Sequence, residues 1–150
     1  MNLSNAIKTV RVKPDGTNYT AAAGSSAATS EYIDTGGYDG ARITVGFGAI
    51  VTGAVTSVKV QQCDTSGGSY ADLLGSSITV ADSDDNKVVV IDISRPGKRY
   101  LKVVTSRATQ NATVDFMTAE LYSSRKQATT DDTATVISRK IHASPAEGTA

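Results

Sequence analysis

Apolar and polar side chains alternate with a period of two through most of the chain between residues 31 and 123, and turn-rich clusters interrupt the alternation at short intervals. In residues 41–47, Ile43, Val45 and Phe47 fall on one face and Arg42 and Thr44 on the other. Residues 56–63 repeat the logic, with Val58 and Val60 facing in and Lys59 and Gln61 facing out. Residues 69–74, 77–80, 99–105 and 113–122 complete the set, with Leu101, Val103, Val114 and Phe116 as inward candidates. Residues 87–93, KVVVIDI, are almost continuously apolar and β-branched, which predicts a strand covered on both faces. GGYDG at 36–40, DTSGG at 64–68, DSDDN at 82–86 and RPG at 95–97 supply the turns. About seven to nine short strands at roughly 10–15-residue spacing, with no amphipathic helix between them, predict an all-β fold, a β-sandwich or jelly-roll-like body over residues 31–123.

The flanks read differently. Residues 7–12 alternate and predict one short strand, followed by the turn Pro14-Asp15-Gly16 and an Ala/Gly/Ser/Thr stretch, AAAGSSAATS, at 21–30. Beyond Ser123 the periodicity fades through QATTDDTAT at 127–135, and returns at 134–141. There Thr135-Val136-Ile137 has the pattern of a strand added to a neighbour's sheet edge. The chain therefore divides into an N-terminal arm and linker at 1–30, a sandwich at 31–123 and a C-terminal arm at 124–150. Segments of this composition bury too little to offset the entropy of ordering them. Order within them implies that something outside the chain holds them.

A chain of 150 residues makes one domain with a proper core. Its 15 basic and 15 acidic residues cancel, so no global field draws it to nucleic acid or an acidic membrane. The body is slightly acidic and the arms mildly basic, through Lys8, Arg11 and Lys13 at one end and Arg125, Lys126, Arg139 and Lys140 at the other. That pattern suits docking on an acidic surface. The single cysteine, Cys63, excludes an internal disulfide framework or a multi-thiolate metal site. The opening MNLSNAIKTV has no apolar run of signal-peptide length, and no stretch approaches a transmembrane span.

The inventory for catalysis is poor, and the reading is of a protein that is not an enzyme and needs no cofactor. His142 is the sole histidine and sits in a tail, without a third group to hold it beside a nucleophile. The acidic run Asp82-Ser83-Asp84-Asp85-Asn86 offers oxygen ligands for calcium but lacks the glycine and distal glutamate of a helical calcium loop, and an Asx-rich turn explains the same residues. A sugar-binding face is disfavoured by the absence of Trp, leaving Tyr38 and Tyr70 beside glycine-rich loops as the best-placed aromatics. No phosphate-binding glycine loop is present. The cluster Arg95-Pro96-Gly97-Lys98-Arg99-Tyr100-Leu101-Lys102 is the densest basic patch, more readily a solvated loop than a nucleic-acid contact.

Four segments carry a resemblance: GYDGARITVGFGAI, VTSVKVQQCDTSGGSYADL, DDNKVVVIDISRPGKRYLKVVTSRAT and DFMTAELY, together spanning about residues 37–122. In these the chain is similar to small virion proteins of tailed bacteriophages, above all to head decoration (cement) proteins. The resemblance implies a β-sandwich bound to the outer face of an icosahedral shell, with no catalytic residues to carry over. Its implied partners are the major capsid protein and neighbouring copies of itself, as a homodimer or homotrimer, with no direct nucleic-acid contact and no membrane. The implied location is the virion surface, after synthesis in the host cytoplasm. On this reading Ile7, Val10, Val12, Val136, Ile137 and Ile141 anchor the arms on neighbouring subunits, and Lys8, Arg11, Arg139 and Lys140 pair with acidic capsid surface. The alternative is a tail, baseplate or receptor-binding fibre component.

Overall fold

The computed structural model describes residues 3–124, Asp131 and residues 134–140. After a single 3-10 turn at Leu3–Asn5 the chain forms eleven strands among these residues: β1 Ile7–Arg11, β2 Ala22–Gly24, β3 Ala28–Thr29, β4 Ile33–Asp34, β5 Tyr38–Ile50, β6 Val55–Cys63, β7 Ala71–Asp72, β8 Ile78–Val80, β9 Val88–Ser94, β10 Tyr100–Ala108 and β11 Ala112–Ser124. They make two antiparallel sheets. The first runs β1-β11-β5-β9, with β2 also on β11; the second runs β3-β10-β6-β7, with β4 also on β10 and β8 on β6. The fold is all-β, and the inner faces of both sheets share one core. Ile43, Val45, Met117 and Leu121 of the first sheet meet Val58, Val60, Leu101 and Val103 of the second. Alternation produces this: one face of each strand is apolar, and two such faces remove each other from water.

Three expectations change. The run at 87–93 is not covered on both faces, because β9 is the outermost strand of its sheet and Val88 and Val90 remain 54% and 40% exposed. Its odd residues Val89, Ile91 and Ile93 face the core. Phe116 lies on the outer face although Val114, two residues earlier, is buried. The pairing of β11 with β5 shifts register between them, and an inserted residue reverses the parity of everything after it. Met117, Ala119 and Leu121 then take the inward positions.

The N-terminal residues do not stand apart as an arm. β1 pairs with β11 from Ile7↔Tyr122 to Arg11↔Thr118, and Val12 is 1% exposed in the core. The stretch at 21–30 is held by this chain's own sheets, with β2 on β11 and β3 on β10. Arg107 reaches across from β10 to donate from Nε to the Ser26 carbonyl (2.8 Å) and from Nη1 to the Ala22 carbonyl (3.0 Å). Ser30 is buried and acts as a further rung: its amide donates to the Val103 carbonyl (2.8 Å) and its hydroxyl accepts the Val103 amide (2.9 Å). Small side chains bring little apolar area of their own, so this stretch is ordered by backbone pairing and one guanidinium.

Candidate docking surface

The outer face of the first sheet is where apolar side chains collect in partial exposure. Two aromatic rings lie on glycines there. A Cβ added to Gly40 would fall 2.1 Å from the Tyr122 ring, and one added to Gly46 would fall 2.1 Å from the Phe116 ring. Glycine in mid-strand removes the side chain that would lift a ring off the sheet, and the ring covers the backbone that glycine leaves bare. The Tyr122 hydroxyl also donates to Asp92 Oδ1 (2.5 Å), which raises its pKa above the ordinary phenol value. Between the two rings runs a polar row in which Arg42 Nη1 donates to Glu120 Oε2 at 2.9 Å. Both side chains are about 35–45% exposed, so the pair contributes little to stability.

Toward the β1 side this face opens into a shallow groove of about 670 Å³. Leu3, Ala6, Ile7 and Tyr122 give it an apolar floor, and Arg42, Asp92 and Glu120 form one polar wall. Leu3 is 64% exposed on the turn that precedes β1. The groove is fixed by the ladder beneath it, since Ile7 and Tyr122 are register partners.

The anchors expected from the sequence are dispersed. Ile7 stands in this groove, whereas Val10 and Val12 point inward, Val10 against the core and Val12 within it. Lys8 is half-buried and lines a second hollow, with Tyr19, Tyr32 and Asp34, on the opposite side of β1. Arg11 is turned toward its own chain: Nη2 donates to the Tyr19 carbonyl (3.0 Å), and its guanidinium lies 5.1 Å from the Tyr19 ring centre. Inward-facing Val10 and Val12 cannot also hold a neighbouring subunit, because burial in their own core has used that surface.

The C-terminal segment, where described, also returns to its own body. Asp131 Oδ1 accepts the Thr9 amide (3.2 Å) and Thr135 Oγ1 accepts the Arg11 amide (3.4 Å). Arg139 Nε lies 3.3 Å from Asp131 Oδ2, and Arg139 also donates to the Ser4 carbonyl. These side chains close the outer edge of β1. None of residues 134–140 is in a strand; Val136 is half-buried, and Ile137, Arg139 and Lys140 are exposed. Ile141 and His142 lie outside the described residues.

No protein-family model matches the chain, and no curated protein sequence does. The chemistry of the surface must be read from the residues themselves.

The acidic turn at 82–86 spends its carboxylates on backbone. Asp82 Oδ2 accepts the Gly53 amide (2.9 Å), Asp84 Oδ2 the Ala81 amide (2.9 Å) and Asp85 Oδ1 the Ile50 amide (2.6 Å). No group of three metal-ligating side chains occurs among the described residues. The basic cluster is largely paired: Arg99 grips Asp34 in a two-bond fork (2.7 and 2.8 Å), and Lys98 bridges to Asp64. The fork holds the Asp34 carboxyl below the usual carboxylate range. Tyr38 packs against the core, and the Tyr70 hydroxyl donates to the Ser66 carbonyl (3.0 Å) under the Lys102 ammonium. Among the described residues no helix is long and apolar enough to cross a membrane.

Leu3, Ala6, Tyr122, Arg42 and Glu120 were not anticipated as surface residues of interest. The signal was present only in part. Gly40 and Gly46 each sit next to an apolar inward position, Ala41 and Val45 respectively, but which aromatic ring lies over them follows from the β5–β11 register, which sequence does not display.

Proposed function

We propose that this chain is a structural virion protein, a decoration (cement) protein that binds the outside of a tailed-bacteriophage head and ties major capsid subunits together. The observation that supports it best is the Leu3–Ile7–Tyr122 groove. It is a rigid, partly apolar, shallow surface with charged residues along one side, the composition of a protein-binding patch rather than of a small-molecule cleft. The two-sheet body and the sequence resemblance over residues 37–122 point the same way. Docking is by a face of the sandwich: Leu3 and Ile7 enter apolar hollows on the shell, and Arg42, Glu120 and Asp92 set the orientation. This differs from a clasp made of two extended arms, since β1 is spoken for by β11. A fibre or baseplate role is less well supported, because Tyr38 and Tyr70 are engaged with their own chain and offer no open aromatic loop.

The test is reconstitution on heads that lack the protein, using the native chain and the double variant Leu3→Asp, Ile7→Asp. Native protein is expected to coat the shell and raise the temperature at which the heads release DNA. The double variant, shown folded by circular dichroism, is expected to lose at least about tenfold in occupancy, the cost of setting two carboxylates against an apolar surface. Equal occupancy and equal heat resistance would remove the groove from the mechanism, and failure of the native chain to bind any head would remove the function.

A further inference from the structure

The two edges of the first sheet are finished differently. At one, the outward amides of β1 are closed by Asp131 and Thr135 of the same chain. At the other, β9 ends the sheet with seven residues, VVVIDIS. Long, flat, β-branched edges of this kind are templates for another strand, and proteins that do not use them blunt them with lysine, proline or a bulge. Within β9 the sole charge is Asp92, and its ladder with β5 runs without a register shift.

Ladder parity shows what the edge offers. The Phe47 amide donates to the Lys87 carbonyl (2.9 Å), and the Arg95 amide to the Asp39 carbonyl (2.6 Å). Antiparallel pairing alternates, so the odd residues of β9 bond to β5. The amides and carbonyls of Val88, Val90 and Asp92 therefore point away from the sheet. Beside them a groove of about 320 Å³ opens between β8 and β9, lined by Ile78, Val80, Phe47, Val88 and Val90 and by the Asp84–Lys87 ion pair. Ile78 is 37% exposed there.

Charge identifies the occupant. β9 is preceded by an acidic turn holding Asp82, Asp84 and Asp85, and followed by a basic one holding Arg95, Lys98 and Arg99. The two turns lie symmetrically about Val90 and Ile91. A strand flanked in this way is complementary to itself when reversed. Asp84 is already paired with Lys87 (2.8 Å), Lys98 with Asp64 and Arg99 with Asp34, whereas Asp82 and Asp85 each accept one backbone amide and keep lone pairs for a cation. Arg95 is exposed, and no carboxylate among the described residues pairs with it.

We propose that β9 is a self-association edge: two copies of the chain pair their β9 strands antiparallel about a two-fold axis at Val90, joining their first sheets into one. Val90 then opposes Val90 of the second copy, and Val88 opposes Asp92. This register uses the outward amides and carbonyls of Val88, Val90 and Asp92 and keeps both apolar inner faces on the same side of the joined sheet. The acidic 82–86 turn of each copy lies against the basic 95–99 turn of the other. The contact is isologous, as a two-fold dimer requires. It concerns the chain alone in solution and does not depend on the capsid reading.

The experiment is sedimentation equilibrium of the full chain over a wide concentration range at low and high salt, with amide hydrogen exchange on the same samples. A dimer is expected whose dissociation constant rises several-fold with salt, as screening weakens the turn-to-turn attraction. In it the Val88, Val90 and Asp92 amides exchange slowly, and dilution makes them fast. Val90→Lys is expected to weaken association at least about 100-fold, because it places two ammonium groups together at the axis. Arg95→Glu is expected to weaken it about tenfold. In both variants Val89, Ile91 and Ile93 stay protected by β5, which separates loss of the dimer from loss of the fold. A chain that is monomeric at every concentration overturns the proposal, including one whose β9 is protected only by a strand from a different protein. So does a dimer indifferent to Val90→Lys.

Discussion

Gly40→Ala tests whether the aromatic cover on the outer face is a designed contact or an incidental one. The new Cβ would lie 2.1 Å from Tyr122 Cζ and 2.2 Å from Cε2, well inside van der Waals contact, so the ring must lift by more than an ångström. Lifting uncovers about a third of a tyrosine side chain of roughly 200 Å², a loss of ~1.5 kcal/mol at ~25 cal/mol per Å². It also breaks the hydroxyl's bond to Asp92, worth about 1.5 kcal/mol when the acceptor is charged and less where water reaches it. Against this, alanine in place of a strand glycine returns about 0.5–1 kcal/mol of chain entropy. The net expectation is about 1–2 kcal/mol of destabilisation, read as a fall in the urea midpoint at unchanged slope. Tyr122→Ala alone should cost about 2 kcal/mol. In the double variant the alanine has nothing to strike, so the two costs should fall short of additive by at least about 1 kcal/mol. Strict additivity would refute the reasoning, because it would mean that the ring does not rest on the glycine.

Other consequences follow from the interior and the loops. The Thr105 hydroxyl is fully buried with no hydrogen-bond partner among the described residues, so Thr105→Val should stabilise the fold by about 1 kcal/mol in the same urea assay; a loss of stability would show a partner there. Because Val12 is in the core and β1 completes a sheet, Val12→Ala should cost about 2 kcal/mol, and deletion of residues 1–13 should abolish cooperative unfolding by calorimetry instead of leaving a folded body. Asp34 and Asp15 have pKa values lowered in the fold, the first mainly by the Arg99 hydrogen bonds and the second by the amides of Asn18 and Thr17. Depressed carboxyl pKa values stabilise above the unfolded value of about 4, and that stability is lost as pH falls through the lower folded values. The melting temperature should therefore drop below about pH 4, and Asp34→Asn should flatten part of that drop.

How far the sequence could be read depended on which physical rule governed each segment. Where a strand is half-buried, alternation is a direct image of burial, and Ile43, Val45, Val58, Val60, Leu101 and Val103 all lie in the core as their pattern predicts. A bulge breaks the image. Phe116 keeps the parity of Val114 in the sequence but not in space, since the register shift between them has no side-chain signature. KVVVIDI misled for a related reason: β-branched residues favour the pleated backbone wherever it lies, so an edge and a centre strand look alike when the edge is not blunted. AAAGSSAATS was illegible because its order comes from elsewhere, through Arg107 and the backbone of β10 and β11. The groove was legible least of all. Its floor joins Leu3 and Ile7 to Tyr122, residues more than a hundred positions apart that only the β1–β11 register brings together.

The unequal finishing of the two edges of the first sheet makes a last prediction. If the C-terminal segment caps β1, removing residues 125–150 should bare the Thr9 and Arg11 amides while leaving the eleven strands intact. The shortened chain would then carry a second open edge, on the opposite side of the sheet from β9. Two copies joined at β9 close a two-fold contact and stop there, but a sheet sticky at both edges does not close. The truncated protein should therefore grow past the dimer into extended assemblies, visible as concentration-dependent light scattering. Its Thr9 and Arg11 amides should exchange quickly when dilute and slowly when assembled. Adding Val90→Lys to the truncation should halt growth at a pair joined through β1. A truncated chain that sediments like the full one would show that the β1 edge is closed by something other than Asp131 and Thr135. A truncated chain that assembles regardless of Val90→Lys would show growth by a contact that does not use β9.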